Sequence, residues 1–344
     1  MKKFLIVTDT WAPEINGLVT ALVNLKKNLE DSGYEVFIVY PQMFTCIPTP
    51  FRPELRFAIF RKNKLRKIIL EQKPDYIHIA SESSLGLAAR NVCIEEGLKF
   101  TSSYHTNFAN YTKLIVGGLF DVINRYLCWF HSKAVRTMVA TEDLKEVLTT
   151  YGFKNMVIWP LGVDVDFFKK NSEAKIPEGL KKPIFTYFGR VAVEKNSEEF
   201  LKCKLPGSKL IIGDGPLRPY LEKKYPEMMF VGYKTGQELI DLLSICDVYV
   251  FPSKTETFGL SIIEAMACKI PVAAYDVIGP KDIISNGIDG VMGDDIEENA
   301  LKCLDLNPED CRTKSMQFSW RKSADEFLKH VENASLRSDE RYRK

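Results

Sequence analysis

Long apolar runs are absent from this chain. No stretch approaches the roughly 20 apolar residues that a helix needs to cross a bilayer, so any membrane contact is expected to be peripheral. The eight cysteines (46, 93, 128, 203, 246, 268, 303 and 311) include no C-x-x-C pair. That removes the usual zinc spacing, and several lie in apolar runs where a free thiol behaves as a small hydrophobe, so a reducing cytoplasm is expected. A surplus of one charge is missing too: 47 Lys and Arg stand against 45 Asp and Glu, a net of +2. A surface that tracks nucleic-acid phosphates throughout needs far more, so any basic region is local. There is no fixed-period repeat, no low-complexity tract and no G-x-G-x-x-G, which counts against a nicotinamide or flavin dinucleotide. Met1 to Lys3 carry the charge of a secretory leader, but the apolar run Phe4 to Val7 is about half the length a leader requires and reads as a first strand.

What the chain has is size and pattern. Its 344 residues exceed what one core usually organises, and 45% hydrophobic with 27% charged residues excludes a disordered or fibrous chain. Short apolar runs alternate with amphipathic stretches throughout, the pattern of parallel sheets covered by helices. The fold class is therefore α/β. Strands are predicted at residues 4–8, 35–40, 76–79, 100–104, 137–141 and 157–159, then at 184–188, 209–212, 229–231, 248–251 and 272–275. Helices are predicted from Leu18 to Leu29 and from Leu85 to Glu96, with Gly33 and Gly97 as stops. Periodicity lapses from Pro160 to Pro183, which places the interdomain connection there.

In open parallel sheets ligands bind beyond the carboxyl ends of the strands, so four loops draw the argument. After the first strand, Asn16-Gly17 opens a helix; the glycine either makes a turn or lets backbone approach a phosphate. After residues 184–188 come Arg190 and Lys195, either surface cations or a pair converging on a diphosphate. Gly213-Asp214-Gly215-Pro216 is a tight turn after the next strand. The fourth loop holds Glu256, then Phe258-Gly259-Leu260 at a helix start, then Glu264. Exposed N–H groups near Gly259 and Leu260 suit an anion, and a carboxylate at 264 can accept both hydroxyls of a ribose diol, although glutamates near a helix start also simply stabilise it.

Together with Ser103-Tyr104-His105-Thr106, these motifs resemble the retaining family-4 glycosyltransferases of the GT-B fold, from Thr8 to about Trp320. The resemblance implies two facing Rossmann-like doubly wound domains with a cleft between them. Residues 1–165 would bind the acceptor and be joined by a final helix at about 318–344, and residues 166–317 would bind a nucleotide sugar. It implies that Arg190 and Lys195 grip the donor diphosphate, that Glu264 holds the ribose, and that Glu256 lies by the donor sugar. Phe258, Gly259 and Leu260 would touch sugar and phosphate, with Gly17, Gly213, Asp214 and Tyr233 also on the donor. Asn16, Tyr104, His105 and Thr106 would lie on the acceptor side, with His105 also near the reacting sugar. No cofactor beyond the donor is implied, and no protein nucleophile. The D-x-D of Asp164 and Asp166 is therefore expected to be structural and to hold no metal. His78 and His131 are expected to be a satisfied core residue and a helix-end residue.

The donor's base and hexose stay open between UDP- and GDP-sugars. Phe51 to Lys73 gathers eight cations among apolar residues, which reads either as a face for anionic lipid or as a solvated helix face. Tyr111 to Phe130 is apolar and follows His105 closely, as an acceptor channel or as packing. The overall likeness to diacylglycerol glycosyltransferases favours a membrane lipid acceptor and a cytoplasmic enzyme peripheral on the membrane's inner face. A GDP-mannose-dependent α-mannosyltransferase acting on a saccharide or phospholipid is the alternative. A nucleotide-sugar epimerase and a noncatalytic sugar-nucleotide binder are the rivals of other classes. Oligomeric state is left open.

Overall fold

The short apolar runs lack polar alternation because they become parallel strands covered on both faces. Phe4, Leu5, Ile6 and Val7 are all fully buried, as are Phe185, Val248 and Val250. The computed structural model describes residues 1–14, 16–48, 56–59, 61–105 and 120–335. The chain divides into one unit of Met1–Pro160 with Trp320–Lys344 and a second of Leu161–Ser319.

The first unit runs β1 (Lys3–Val7), α1 (Gly17–Asp31), β2 (Glu35–Val39), β3 (Thr45–Pro48), β4 (Arg56–Ile59), α2 (Arg61–Gln72), β5 (Tyr76–Ile79), α3 (Ser84–Glu95) and β6 (Thr101–Tyr104). It continues with α4 (Phe120–His131), β7 (Thr137–Val139), α5 (Glu142–Thr150) and β8 (Met156–Ile158). Six strands form a parallel sheet in the order β2-β1-β5-β6-β7-β8, and β3 and β4 pair as a separate antiparallel ribbon. The order reverses between β1 and β5, so the loops after those strands flank the opening where a ligand can enter.

The second unit comprises β9 (Ile184–Phe188), α6 (Ser197–Lys202), β10 (Ser208–Ile212), α7 (Arg218–Lys224), β11 (Met229–Gly232), α8 (Gly236–Ser244) and β12 (Val248–Phe251). Then follow α9 (Leu260–Ala267), β13 (Val272–Ala274), α10 (Pro280–Ile283), β14 (Gly290–Met292), α11 (Ile296–Cys303) and α12 (Pro308–Ser315). Its parallel sheet has the order β11-β10-β9-β12-β13-β14, with the reversal between β9 and β12. Arg190 and Lys195 follow β9, and Glu256 to Glu264 follow β12, so both stretches flank the second switch point.

The division between Pro160 and Leu161 has a local cause. Val163 N–H donates to the Phe318 carbonyl (3.0 Å), so incoming and outgoing strands of chain pair at the edge of the second unit. Arg312 fastens the incoming segment, donating to the carbonyls of Val165, Phe168 and Ala267 at 2.8 to 2.9 Å. The closing helix α13 (Trp320–Ser335) is part of the first unit. Its Ala324, Phe327 and Val331 join Leu22, Leu25 and Leu29 of α1 over Phe4 and Trp159. The Trp159 indole donates to Ser323, and Tyr34 donates to Glu332.

Candidate active site

The loops after β9, β10 and β12 converge through backbone as well as side chains. After β9, Gly189 takes φ +145° and a single 3-10 turn ends at Asn196, in the left-handed region with φ +53°. The Asn196 side chain donates to the Pro252 carbonyl (3.1 Å), tying this loop to the exit of β12. Lys195 then meets Glu256 across the switch point, Nζ to Oε2 at 2.6 Å, with both side chains largely buried. The other oxygen of Glu256 accepts the Thr257 N–H (3.1 Å). Arg190 is more open, its Nε 4.0 Å from Glu194 Oε1. Two cations and two carboxylates are thus set at the neighbouring ends of β9 and β12.

Glycine at 213 is a steric necessity. A Cβ there would lie 1.8 Å from the Gly189 carbonyl oxygen, and one at Gly215 would lie 2.3 Å from that of Val191. Only bare backbone lets the loop after β10 lie so close to the Arg190 loop. The Asp214 carboxylate closes its own turn, accepting from Gly215 N–H (2.7 Å) and from Arg218 (2.9 Å).

Gly259 caps α9 in the left-handed region, φ +103°, with no capping side chain and no acidic residue in the first turn. The first N–H groups of the helix, starting with Leu260, therefore lack the usual carboxylate or hydroxyl and carry the positive end of the dipole. Phe258 is buried with its ring 6.0 Å from Phe318, which anchors the loop. Burial pushes the Glu264 carboxyl up to about 7. Tyr233 lies nearby at the end of β11: its hydroxyl is raised by burial and by the charge of Glu264.

Sequence reasoning missed Tyr249. Fully buried in β12, its hydroxyl donates to the Phe188 carbonyl (2.8 Å) and pairs with Ser261 (2.8 Å), fixing the start of α9 against the end of β9. A tyrosine inside the apolar run 248–251 was the available signal.

In the first unit, Asn16 is a helix cap: its Oδ1 accepts the Val19 N–H (3.0 Å) and its Nδ2 donates to Thr10 (2.8 Å), with Gly17 opening α1. Asp9, passed over earlier, crosses the switch point to accept from the Ser81 and Ser84 hydroxyls and from the N–H groups of Leu85 and Gly86, capping α3 from outside. Tyr104 is buried, its ring between those of His131 and Phe153. His105 stacks edge-on to Trp159 at 5.3 Å, and burial, then the nearby His131, lowers its pKa to about 4. At neutral pH it is an uncharged imidazole. Thr106 lies outside the described residues, as do 111–119 of the apolar stretch and 51–55 and 60 of the basic one. Of the basic stretch, Lys62 and Arg66 pair with Glu95 and Lys67 pairs with Glu71.

His78 is held in the core by Thr101 (2.9 Å) and Ser103 (3.0 Å), and burial drives its pKa down to about 3. His131 does more than end its helix. It is buried against the sheet, Nδ1 2.8 Å from the Ser102 hydroxyl and Nε2 3.3 Å from Glu82 Oε1. Asp164 accepts the N–H groups of Asp166 and Phe167, so the D-x-D forms a local turn. No described helix is long and apolar enough to cross a membrane.

Two tandem doubly wound parallel units, with charged loops at the switch points, define a fold of the GT-B glycosyltransferase class. Sucrose-phosphate synthase from Thermosynechococcus elongatus shares it, with a TM-score of 0.77 and 17% identity over 97% of this chain and 99% of that one. The chain belongs to the group 1 and family 4 glycosyltransferases: residues 15–167 match the model described as Glycosyltransferase Family 4, and residues 168–303 that of Glycosyl transferases group 1. It is 26% identical to a GDP-mannose-dependent alpha-mannosyltransferase of Mycobacterium tuberculosis (strain CDC 1551 / Oshkosh), over 83% of this chain and 82% of that protein. It is likewise 26% identical to the alpha-monoglucosyldiacylglycerol synthase of Acholeplasma laidlawii, over 88% of each.

Proposed function

We propose that this glycosyltransferase moves a hexose from a UDP- or GDP-sugar, bound by residues 166–317, to a hydroxyl of a membrane lipid such as diacylglycerol, bound by residues 1–165 with the closing helix. The observation that carries the donor assignment is the junction of Lys195 and Glu256 beside the uncapped start of α9, with Arg190 and Glu264 alongside. Arg190, Lys195 and the first N–H groups of α9 receive the diphosphate, and the Glu264 carboxylate accepts the ribose hydroxyls. Tyr233 lines the nucleoside side. Glu256 holds Lys195 and meets the sugar. Gly17 and Gly213 keep backbone close to the phosphates.

In the reaction the acceptor oxygen bonds to the anomeric carbon on the face from which the nucleotide departs, so configuration is retained. The bond from anomeric carbon to phosphate oxygen breaks, and the acceptor's proton passes to the departing phosphate. Charge gathers on that phosphate, and Arg190 and Lys195 neutralise it in place of a divalent metal. Neutral His105 offers a hydrogen bond at the reacting end rather than a charge. The lipid preference rests on the likeness to a diacylglycerol glycosylating enzyme and not on the basic segment, where Lys62, Arg66 and Lys67 are paired with carboxylates.

The test is incubation with UDP- and GDP-sugars and diacylglycerol vesicles in EDTA, following nucleotide release and lipid product. A glycolipid formed at full rate in EDTA is expected, with Lys195→Ala slowing turnover efficiency about ten- to a hundredfold. Product only on a saccharide acceptor would move the enzyme to the mannosyltransferase alternative. A changed free nucleotide sugar without transfer would make it an epimerase.

A further inference from the structure

The buried face of α4 carries an unexplained polar side chain. Asn124 is 6% exposed, and among the described residues neither its Oδ1 nor its Nδ2 has a hydrogen-bond partner. A buried amide left unsatisfied is destabilising, and such groups in native structures usually mark a ligand, an ordered water or a functional constraint. The helix geometry says where it stands. Asn124 and His131 are seven residues apart, so they share one face of α4, with Asn124 about 10 Å nearer the helix start. His131 is level with Ser102 of β6, to which it is bonded. Helix and strand run in opposite directions in a parallel α/β layer, so Asn124 stands about three strand positions beyond Ser102, past the carboxyl end of β6. That is where open parallel sheets take their ligands.

The neighbourhood also bears on the ligand's charge. Below Asn124, His131 meets Glu82, and the Tyr126 hydroxyl donates to the Glu82 carbonyl (2.6 Å). The charged groups that bear on Tyr126 are Glu82 and Asp9 against Arg90 and Arg61, two of each sign. Arg90 is spent on the Phe130 and Trp129 carbonyls and on the Trp129 ring, and Arg61 on the Ser84 and Ala58 carbonyls. Among the described residues, then, both cations that bear on Tyr126 are already engaged by backbone carbonyls and not held ready for a phosphate. We infer that Asn124 positions the acceptor: its amide meets the oxygens of an uncharged head such as glycerol or a sugar, Nδ2 donating to a carbonyl or hydroxyl oxygen and Oδ1 accepting a hydroxyl proton. This rests on the transferase reading above and narrows it to neutral acceptors over phosphorylated ones.

The experiment is calorimetric titration of the whole protein with the water-soluble probe 1,2-dihexanoylglycerol and with dihexanoyl phosphatidic acid. Wild type and Asn124→Leu, which keeps the shape and removes the amide, are compared together with their melting temperatures. The expected result is preference for the neutral probe, roughly tenfold weaker binding in Asn124→Leu and a melting temperature unchanged or raised. An acceptor KM that rises with an unchanged donor KM is expected in parallel. Equal binding by both proteins, preference for the phosphate, or no binding by wild type would overturn the inference. A lowered melting temperature with donor and acceptor KM moving together would make Asn124 structural. The transferase reading fails separately, if wild type yields no product from any donor while still binding the glycerol probe through Asn124.

Discussion

Under the proposed ribose role, Glu264 would join stability to donor binding within a single residue. Burial holds its carboxyl near 7 in the free protein, above the ordinary 4.5, so the ionised form burdens the fold. The sign follows: below about pH 4.5 the group is protonated folded or unfolded and has no effect, and the burden grows as pH rises through 7. Glu264→Gln is therefore expected to raise the melting temperature at pH 8 and leave it unchanged at pH 4. A ribose diol needs the carboxylate as a double acceptor, so donor binding should release a proton and tighten from pH 6 to pH 8 in wild type, and become weaker and flat in Glu264→Gln. Calorimetry with the nucleoside diphosphate decides this: a flat wild-type profile contradicts the ribose role. At this scale the placement of the candidate loop residues at strand ends was legible, because the apolar runs before them mark those ends. Asp9, Glu82 and Tyr249 were not, because their partners lie dozens of residues away and only the sheet order brings them together.

Elements were legible where one periodicity dominates. Residues 184–188 and 248–251 are strands at the predicted bounds, and Gly33 and Gly97 stop their helices with positive φ. The ribbon of β3 and β4 escaped notice because it is short, antiparallel and flanked by prolines, and β14 because three residues carry no pattern. The tight turn after β10 was recognised as a turn, but its steric reason was hidden, since the oxygen it must clear belongs to Gly189 in another loop. Gly213→Ala puts a Cβ into that oxygen at φ +151°, so the loops after β9 and β10 must separate. A loss of about 1 to 3 kcal/mol in urea unfolding is expected, with kcat/KM for the donor reduced because Arg190 moves with its loop. Unaltered donor kinetics in a destabilised variant would detach that loop from the diphosphate.

At the scale of the whole molecule the two units should answer acid in opposite ways. All four histidines, at 78, 105, 131 and 330, belong to the first unit, and none to Leu161–Ser319. His78 and His105 titrate near 3 and 4 in the folded state, below the ordinary 6.5, so the folded first unit excludes protons that its unfolded chain binds. Its stability is complete above about pH 6.5 and falls progressively as pH drops toward 4 and then 3. The second unit has no such group, and over the span from 7 to 4.5 Glu264 becomes protonated and relieves it. Two units with separate cores need not unfold together. Scanning calorimetry between pH 7.5 and 5 is therefore expected to spread the heat absorption into two transitions, the lower one moving down with acid. Hydrogen exchange at pH 5 should place the early opening in β5 and β6, around His78, while β9 and β12 stay protected. Early exchange in β9 and β12 instead would mean that the buried imidazoles do not govern the acid response.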